Sequence, residues 1–426
     1  MGHFWPDFRG WLGQVTDTRA QKRIVYTREF LTWMGLLLFI LKLGARRQVR
    51  FELNSPAALA NLNRLCGREH PQVAHSDTLE HFLGHVPPDA YPRLRRQMVQ
   101  RLLRMKVLDE DRLFGHVLIV VDGTEQLTFR ARHCPHCLEQ TVAGQKRYYH
   151  PVLEAKLVTP AGLALSVGSE FIENTEPQAT KQDCELKAFR RLAQRLDRDF
   201  PQLRICLGLD ALYANGTVLT LCEQYGWKYL ITFKPGSLPA VWQEYQTLRE
   251  LCPQNRLVRQ PAQGPRQTFA WVNDLEYQDD QNRLHRFHAF QCQEPAGNAT
   301  RCFAWLTNFT LRAENVAALA NRGGRLRWKI ENEGFNLQKN GGFALEHAYS
   351  TRPGPIKNWY LLLQIAHLIL QFLERGDLLG QGAQRLFGSL RTFAKRLAES
   401  LRHQLIPAAA LDPATCRAMQ IRLNTS

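Results

Sequence analysis

The chain has 426 residues, of which 55 are Lys or Arg and 39 are Asp or Glu, giving a formal net charge of +16. Apolar residues make up 44% and aromatics 10%, which excludes a mainly disordered chain, and the length suits roughly two or three domains. The charge makes a polyanion the expected partner, nucleic acid first, while ten mostly isolated cysteines exclude a disulfide framework.

Residues 1–111 are predicted to form a helical, basic N-terminal DNA-binding region. Within it, residues 27–43 are strongly apolar and stop at Gly44, with Arg46 and Arg47 supplying cations there. The uninterrupted apolar run ends at Lys42, well short of the ~20 residues that a membrane span needs, so a buried helix and no membrane partner are expected. No basic leader with a cleavage site opens the sequence, which predicts a cytoplasmic location. Ser55 caps a short helix over 56–65. A further helix over 91–107 is dense in Arg93, Arg95, Arg96, Arg101, Arg104 and Lys106, as either a solvated face or a DNA-binding surface would be.

The pattern then changes. Val117 to Val121 is a continuous apolar run, the mark of a strand buried on both faces, and it ends on Asp122. Strands over 148–158 and 163–171 flank a hairpin signal at Thr159, Pro160, Ala161 and Gly162. A helix over 181–196 has Leu186, Phe189, Leu192 and Leu196 on one stripe. A second buried strand, Ile205 to Leu209, also ends on an aspartate, Asp210. A helix over 215–225, stopped by Gly226, and a strand over 229–233 complete a unit over 112–235. Residues 236–306 read as a β-rich insertion, with strands over 268–277, 284–293 and 301–309. The unit resumes over 307–373, with a helix over 325–339 and an apolar helix over 358–373. Residues 374–426 form a basic C-terminal region with a helix over 383–402. The class is α/β, and open α/β sheets bind ligands at the carboxyl ends of their strands, where both aspartates lie.

A lone aspartate after a strand is commonly a turn former or helix cap. Two of them, on central strands of a basic chain, also make a two-metal site conceivable, because Mg²⁺ takes one or two carboxylates and leaves room for phosphate oxygens. Glu331 is the expected third carboxylate. On an α-helix it shares a stripe with Arg327, Gly334 and Gln338, beside the apolar Leu326, Ile330 and Leu337. An ordinary ion pair with Arg327 would use the same spacing. Glu333 follows Lys329 by four residues and reads as its solvent-side partner. Glu185 reads as a residue favouring its helix dipole.

The segments IVVDGT (119–124), CLGLDALYANG (206–216), YLITFK (229–234) and RLRWKIENEGFNLQKNGG (325–342) resemble the catalytic blocks of DDE transposases, in the bacterial cut-and-paste insertion-sequence class. The resemblance implies an RNase H-like mixed sheet with flanking helices, interrupted by a β-strand insertion before the last acid. It implies Asp122, Asp210 and Glu331 as catalytic, metal-binding residues for two Mg²⁺ ions, with Mn²⁺ able to substitute. It also implies cleavage at transposon inverted-repeat ends, 3′-hydroxyl strand transfer into target DNA, a homodimer on DNA, and a nucleoid-associated location. Arg327 matches the arginine of the signature Tyr-x2-Arg-x3-Glu-x6-Lys. Gly324 and Gln338 stand where its tyrosine and lysine belong, with Lys339 one position late. Those departures motivate a second reading, a domesticated nuclease without transposition; a non-catalytic zinc-knuckle DNA-binding protein is a third.

Cys134 and Cys137 form half of a structural Zn²⁺ site, which His133, His136 or His150 could help complete; a thiol-bearing loop near DNA is the alternative. Lys146, Arg147 and Tyr148 mix cations with an aromatic, as a phosphate-and-stacking surface does, and join Arg327 and Lys339 as expected DNA contacts. Trp271 and Trp305 read as core residues.

Overall fold

The computed structural model describes residues 2–174, 182–375 and 386–411. Six helices come first: α1 (Phe8–Gly13), α2 (Arg28–Ile40), α3 (Arg46–Leu53), α4 (Pro56–Cys66), α5 (Ser76–Gly84) and α6 (Ala90–Arg104). Thr27 caps α2 and Ser55 caps α4, each side-chain oxygen accepting a backbone N–H three residues on. Nearly all of α2 is buried, and Gly44, at φ 75°, turns the chain after it. Among the described residues no helix is long and apolar enough to cross a membrane.

A mixed ten-stranded sheet follows. Its strands are β1 (Val117–Phe129), β2 (Leu138–Val142), β3 (Gln145–Val158), β4 (Ala164–Phe171), β5 (Ile205–Leu209), β6 (Lys228–Thr232), β7 (Arg256–Arg259), β8 (Gln267–Gln278), β9 (Leu284–Ala296) and β10 (Ala299–Thr307). The order is β2-β3-β1-β5-β6-β10-β9-β8-β7, with β4 also pairing β3. The pairs β1–β5 and β5–β6 are parallel, and all the others are antiparallel. Helices α7 (Glu185–Asp199) and α8 (Gly216–Gln224) make the crossovers into the parallel strands, as parallel neighbours require.

The strands of the insertion extend this same sheet, because β10 pairs β6 with Trp305 opposite Thr232. A helix, α9 (Pro239–Leu251), precedes them, inside a stretch that reads as β-rich. Then come α10 (Ala313–Asn321), the short α11 (Leu337–Asn340), α12 (Pro353–Arg375) and α13 (Leu390–His403). Helix α12 starts five residues before the expected position. Proline is well placed in a first turn, where its missing N–H has no partner to lose, so Pro353 and Pro355 do not delay it. Residues 383–385 of the expected C-terminal helix lie outside the described residues.

Alternation along β1 separates two apolar cores. Ile119 and Val121 join the N-terminal helices, α7, α8 and α12. Leu118 and Val120 face Cys206, Leu230, Phe290, Trp305, Ile330 and Phe335, as a strand buried on both faces demands. Trp271 and Trp305 are core residues, as expected.

The basic helix α6 departs from a simple solvated face. Arg95 is buried and donates to the Ser166 and Ser169 hydroxyls at 2.7 and 2.6 Å. Arg96 pairs with Asp199 at 3.1 Å and Arg93 with Asp89 at 2.6 Å. Two of this helix's five cations, Arg95 and Arg96, therefore join it to the rest of the protein, while Arg93 pairs within its own first turn.

Candidate active site

The expected strand ending at Asp122 is longer: β1 runs on to Phe129, paired with β3 from Ile119 onward apart from an irregularity at Gln126. What does end is its pairing with β5, whose last rung is Val120 opposite Gly208. Beyond that rung β1 stays with β3 while β5 finishes at Leu209, so a cleft opens between them at the carboxyl ends of the parallel strands. Asp122 lies on one wall. Asp210 lies on the other and caps the single 3₁₀ turn Ala211–Tyr213, its Oδ1 accepting the Leu212 N–H at 2.9 Å. The cap role and the site role coexist in one side chain.

The expected single helix over 325–339 is three pieces: a 3₁₀ turn Gly324–Arg327, a π-helical segment Ile330–Asn336 and α11. Ile330 and Phe335 are fully buried and anchor the segment, leaving Glu331 half-exposed. Arg327 Nη1 lies 3.3 Å from Asp122 Oδ2, and its guanidinium sits over the Trp328 ring, 4.4 Å from the centroid. Glu333 pairs with Lys329 at 3.1 Å, as its spacing predicts.

A π turn carries one extra residue, so every position after it is shifted by one around the helix. Gln338 is consequently not an outward neighbour of Glu331, as the α-helical stripe has it. It is fully buried, with its amide bonded to Gln364 and to His367 Nδ1. Lys339 is partly exposed and paired with Glu346 at 3.0 Å. With the extra residue included, Lys339 takes the place that a lysine at 338 would hold on a regular helix. Gly324 is equally constrained, since a Cβ there would collide with the Trp305 indole.

Glu185, in the first turn of α7, is the acid that the sequence under-reads. Its carboxylate approaches Gly123 so closely that any side chain at 123 would strike it, and the Tyr213 hydroxyl donates to its Oε2 at 3.4 Å. Burial raises its carboxyl above the ordinary range, and the charges of Asp122 and Asp210 raise it further. Burial likewise pushes Asp122 up to about 6. Arg327 opposes that rise, Asp210 and Glu331 add to it, and the Gly123 N–H opposes it. These mutual effects place Asp122, Asp210, Glu331 and Glu185 in one electrostatic neighbourhood.

Among the described residues, no three carboxylates have oxygens all within 4.8 Å of one another. The cluster is therefore wider than a cage for a single ion. Carboxylate oxygens suit Mg²⁺ or Mn²⁺. Like charges held half out of water are costly unless cations compensate them, and Arg327 is the one protein cation that faces Asp122 with an ion pair among the described residues. By donor chemistry, the set fits divalent cations.

The expected DNA contacts fall in two places. Arg327 is in the cleft, with Trp328, 55% exposed, beside it. Trp328 is a residue the sequence reading missed, although its position off the Leu326–Ile330–Leu337 stripe was a usable signal. Lys146, Arg147 and Tyr148 lie together on the β2–β3 hairpin. Lys146 pairs with Glu139 at 2.7 Å, Arg147 with Glu125 at 2.7 Å, and Arg132 covers the Tyr148 ring at 5.2 Å. Glu125 is three residues beyond Asp122 on β1, so this arm rises from the strand that carries the first acid.

No family model matches the chain, and no curated protein matches it either.

Proposed function

We propose that this protein is a DNA transposase of the DDE kind, a metal-dependent enzyme that cuts DNA at transposon ends and joins the freed 3′-hydroxyl to target DNA. The observation that carries the reading is that Asp122 and Asp210 follow the last β1–β5 rung, with the charges of Asp210 and Glu331 both acting on Asp122, in a chain of net charge +16. The strand order supports an RNase H-like core. Antiparallel β4 and β3 lead to β1, parallel β5 and β6 follow, and β7–β10 enter before the segment that bears the last acid.

In this reading Asp122, Asp210 and Glu331 hold the cations, with Glu185 adding negative charge behind them. When bound, Mg²⁺ or Mn²⁺ supplies the Lewis acid that stabilises charge on a phosphodiester undergoing displacement. Arg327 fixes the Asp122 carboxylate and offers its remaining N–H groups to a phosphate oxygen. Trp328 presents an aromatic face on which an unstacked base can rest. The exposed cations of the β2–β3 arm and of α13 neutralise backbone phosphates outside the cleft. No covalent protein nucleophile is required, and two copies of the chain bring two DNA ends together.

Gly324 does not favour the domesticated-nuclease alternative. The Trp305 indole closes that position to any side chain, so glycine there belongs to the packing rather than to decay of a site. The test is direct. Inverted repeats flanking the coding sequence are joined to a labelled duplex and incubated with the protein and Mg²⁺, alongside the Asp210→Asn variant. Cleavage at the repeat boundary and joining of the 3′ end to a second duplex are expected, with both lost in the variant. Cleavage that survives Asp210→Asn would overturn the reading.

A further inference from the structure

The loop between β1 and β2 makes a tight turn in which the Cys137 N–H bonds to the Cys134 carbonyl at 3.3 Å. This brings the two thiols side by side. His150, on β3, closes the triangle from the neighbouring strand. Sγ of Cys134 and Sγ of Cys137 are 3.6 Å apart, and they lie 3.5 and 3.2 Å from His150 Nε2. All three residues are buried.

Those separations can be compared with what an ion would impose. A tetrahedral Zn²⁺ with Zn–S about 2.3 Å and Zn–N about 2.0–2.1 Å places two sulfurs about 3.8 Å apart and a sulfur and nitrogen about 3.5 Å apart. Each observed edge is within about 0.3 Å of those values. A disulfide is the poorer account, since its sulfurs must approach to about 2.05 Å.

The other two histidines of the loop are engaged elsewhere. His133 stacks on Phe129 with centroids 4.7 Å apart, and His136 Nδ1 bonds the Asn174 carbonyl at 2.9 Å. Asn174 in turn donates to the Cys137 carbonyl at 3.3 Å, which holds the turn against the end of β4.

We propose that Cys134, Cys137 and His150 bind one Zn²⁺ ion, with water as the fourth ligand. Two thiolates and a neutral imidazole make the loaded site electrically neutral, which suits its burial; the two thiol protons leave to solvent as the ion enters. Soft sulfur donors and tetrahedral edges select zinc over Mg²⁺ or Ca²⁺. The consequence is mechanical. The ion ties the β1–β2 loop to β3 at the root of the arm that carries Lys146, Arg147 and Tyr148, so the arm keeps a fixed direction relative to β1. His150 is the ligand that the cysteine spacing alone left open among three histidines.

The site is tested without DNA, so its outcome is independent of the transposase reading. Full-length protein, purified without chelator and dialysed, is assayed for zinc by mass spectrometry, and its free thiols are counted. Apo protein is then titrated with Co²⁺. We expect about one zinc per chain, falling below about a tenth in Cys137→Ser and in His150→Ala. In the wild type, we expect thiolate-to-cobalt absorption that saturates at one equivalent. The wild-type titration keeps the test decisive if a variant fails to fold. A wild type with both thiols reduced and no thiolate–cobalt absorption overturns the proposal, as does a Cys134–Cys137 disulfide in freshly purified protein. A full zinc equivalent retained by Cys134→Ser/Cys137→Ser places the ligands elsewhere and does the same.

Discussion

Replacing Asp122 by asparagine should make the metal-free protein more stable while abolishing cleavage. Asparagine keeps the shape of the side chain and can still accept the Gly123 N–H, which reaches Asp122 Oδ1 at 3.0 Å in the wild type. It removes a charge that the fold resists: the carboxyl titrates near 6 instead of 3.8, a difference equivalent to about 3 kcal/mol at ~1.4 kcal/mol per pH unit. The side chain is 25% exposed, so solvent screening takes little of this away. The sign follows from linkage. A carboxyl whose folded value is raised binds protons more readily in the folded state, so stability falls as pH climbs from 3.8 to about 6 and is level above that. Asp122→Asn escapes the loss, which gives an advantage of about 2–3 kcal/mol at pH 8, shrinking to about 1 kcal/mol at pH 4.5. Urea unfolding in EDTA at the two pH values measures both numbers. Added Mg²⁺ should raise the midpoint of the wild type more than that of the variant, because ions that bind only the folded state stabilise it by mass action. A variant less stable than wild type at pH 8, or an advantage that does not shrink in acid, would refute the claim that the fold holds the Asp122 charge against its own burial and, to a lesser degree, against its acidic neighbours.

Glu331→Gln should lose cleavage and keep DNA affinity, whereas Glu333→Gln, whose carboxylate serves Lys329 at 3.1 Å, should change cleavage less than about threefold, under 1 kcal/mol; a gel-based cleavage assay separates them. DNA affinity should fall steeply with salt, and Arg391→Gln/Lys395→Gln, two exposed cations of α13, should lower the slope of log affinity against log salt by about 1–2; an unchanged slope would remove α13 from the interface. Glu154→Gln should cost about 3–5 kcal/mol in urea unfolding, because Arg95 and Lys156, at 3.9 and 3.8 Å, would lose the carboxylate between them. A cost below about 1 kcal/mol would mean that the buried charges are solvated by some other route.

Runs of apolar residues report burial, and they locate strands only as far as the burial lasts. That is why residues 117–121 were legible as a strand and 122–129 were not: past Val121 the side chains of β1 are an irregular mix of buried, partly exposed and exposed, and the continuous signal stops although the pairing continues. The Ser55 cap was legible because a cap acts within three residues of itself; Thr27 and Asn215 act in the same way but stood out in the sequence only as the first residues of their segments. The π-helical segment was not legible, since no residue type calls for one; within it Gly334 lies against Lys156, where a Cβ would stand 3.0 Å from the Lys156 side chain. Asp122 and Asp210 stood out as candidates because each follows an apolar run, and Glu331 because of its spacing from Arg327, which an ordinary ion pair would share. Glu185 did not, because a glutamate that favours a helix N-terminus and one that joins an acidic cluster look alike in sequence. Which histidine accompanies Cys134 and Cys137 depended on the register of β3 against β1, where His150 stands opposite Leu127.

Two of the three acids are rooted in the sheet, while the third rides on a helical segment that has to be held in one register. Beneath that segment lies a buried polar network. Glu154 accepts from Ser166, from Ser169 at 2.6 Å and from the Tyr360 hydroxyl at 2.9 Å, and Lys156 donates to Gln364 at 2.7 Å. Gln364 and Gln338 exchange two amide bonds at 2.8 and 3.1 Å. Burial holds His367 neutral, so its Nδ1 can accept from Gln338. An apolar core of the same volume would often be as stable or more so. It would, however, tolerate sliding of one helix past another, whereas hydrogen bonds between amides, a lysine and an imidazole are directional and leave a costly unpaired group if the register moves. Lys156 touches Gly334 above it and bonds Gln364 on α12, and Gln364 bonds Gln338 of α11. One short chain of contacts thus ties the C-terminal half of the irregular segment, and α11 after it, to β3, the strand paired with Asp122. The distance between the third acid and the first two is set from below, by residues that never reach the cleft.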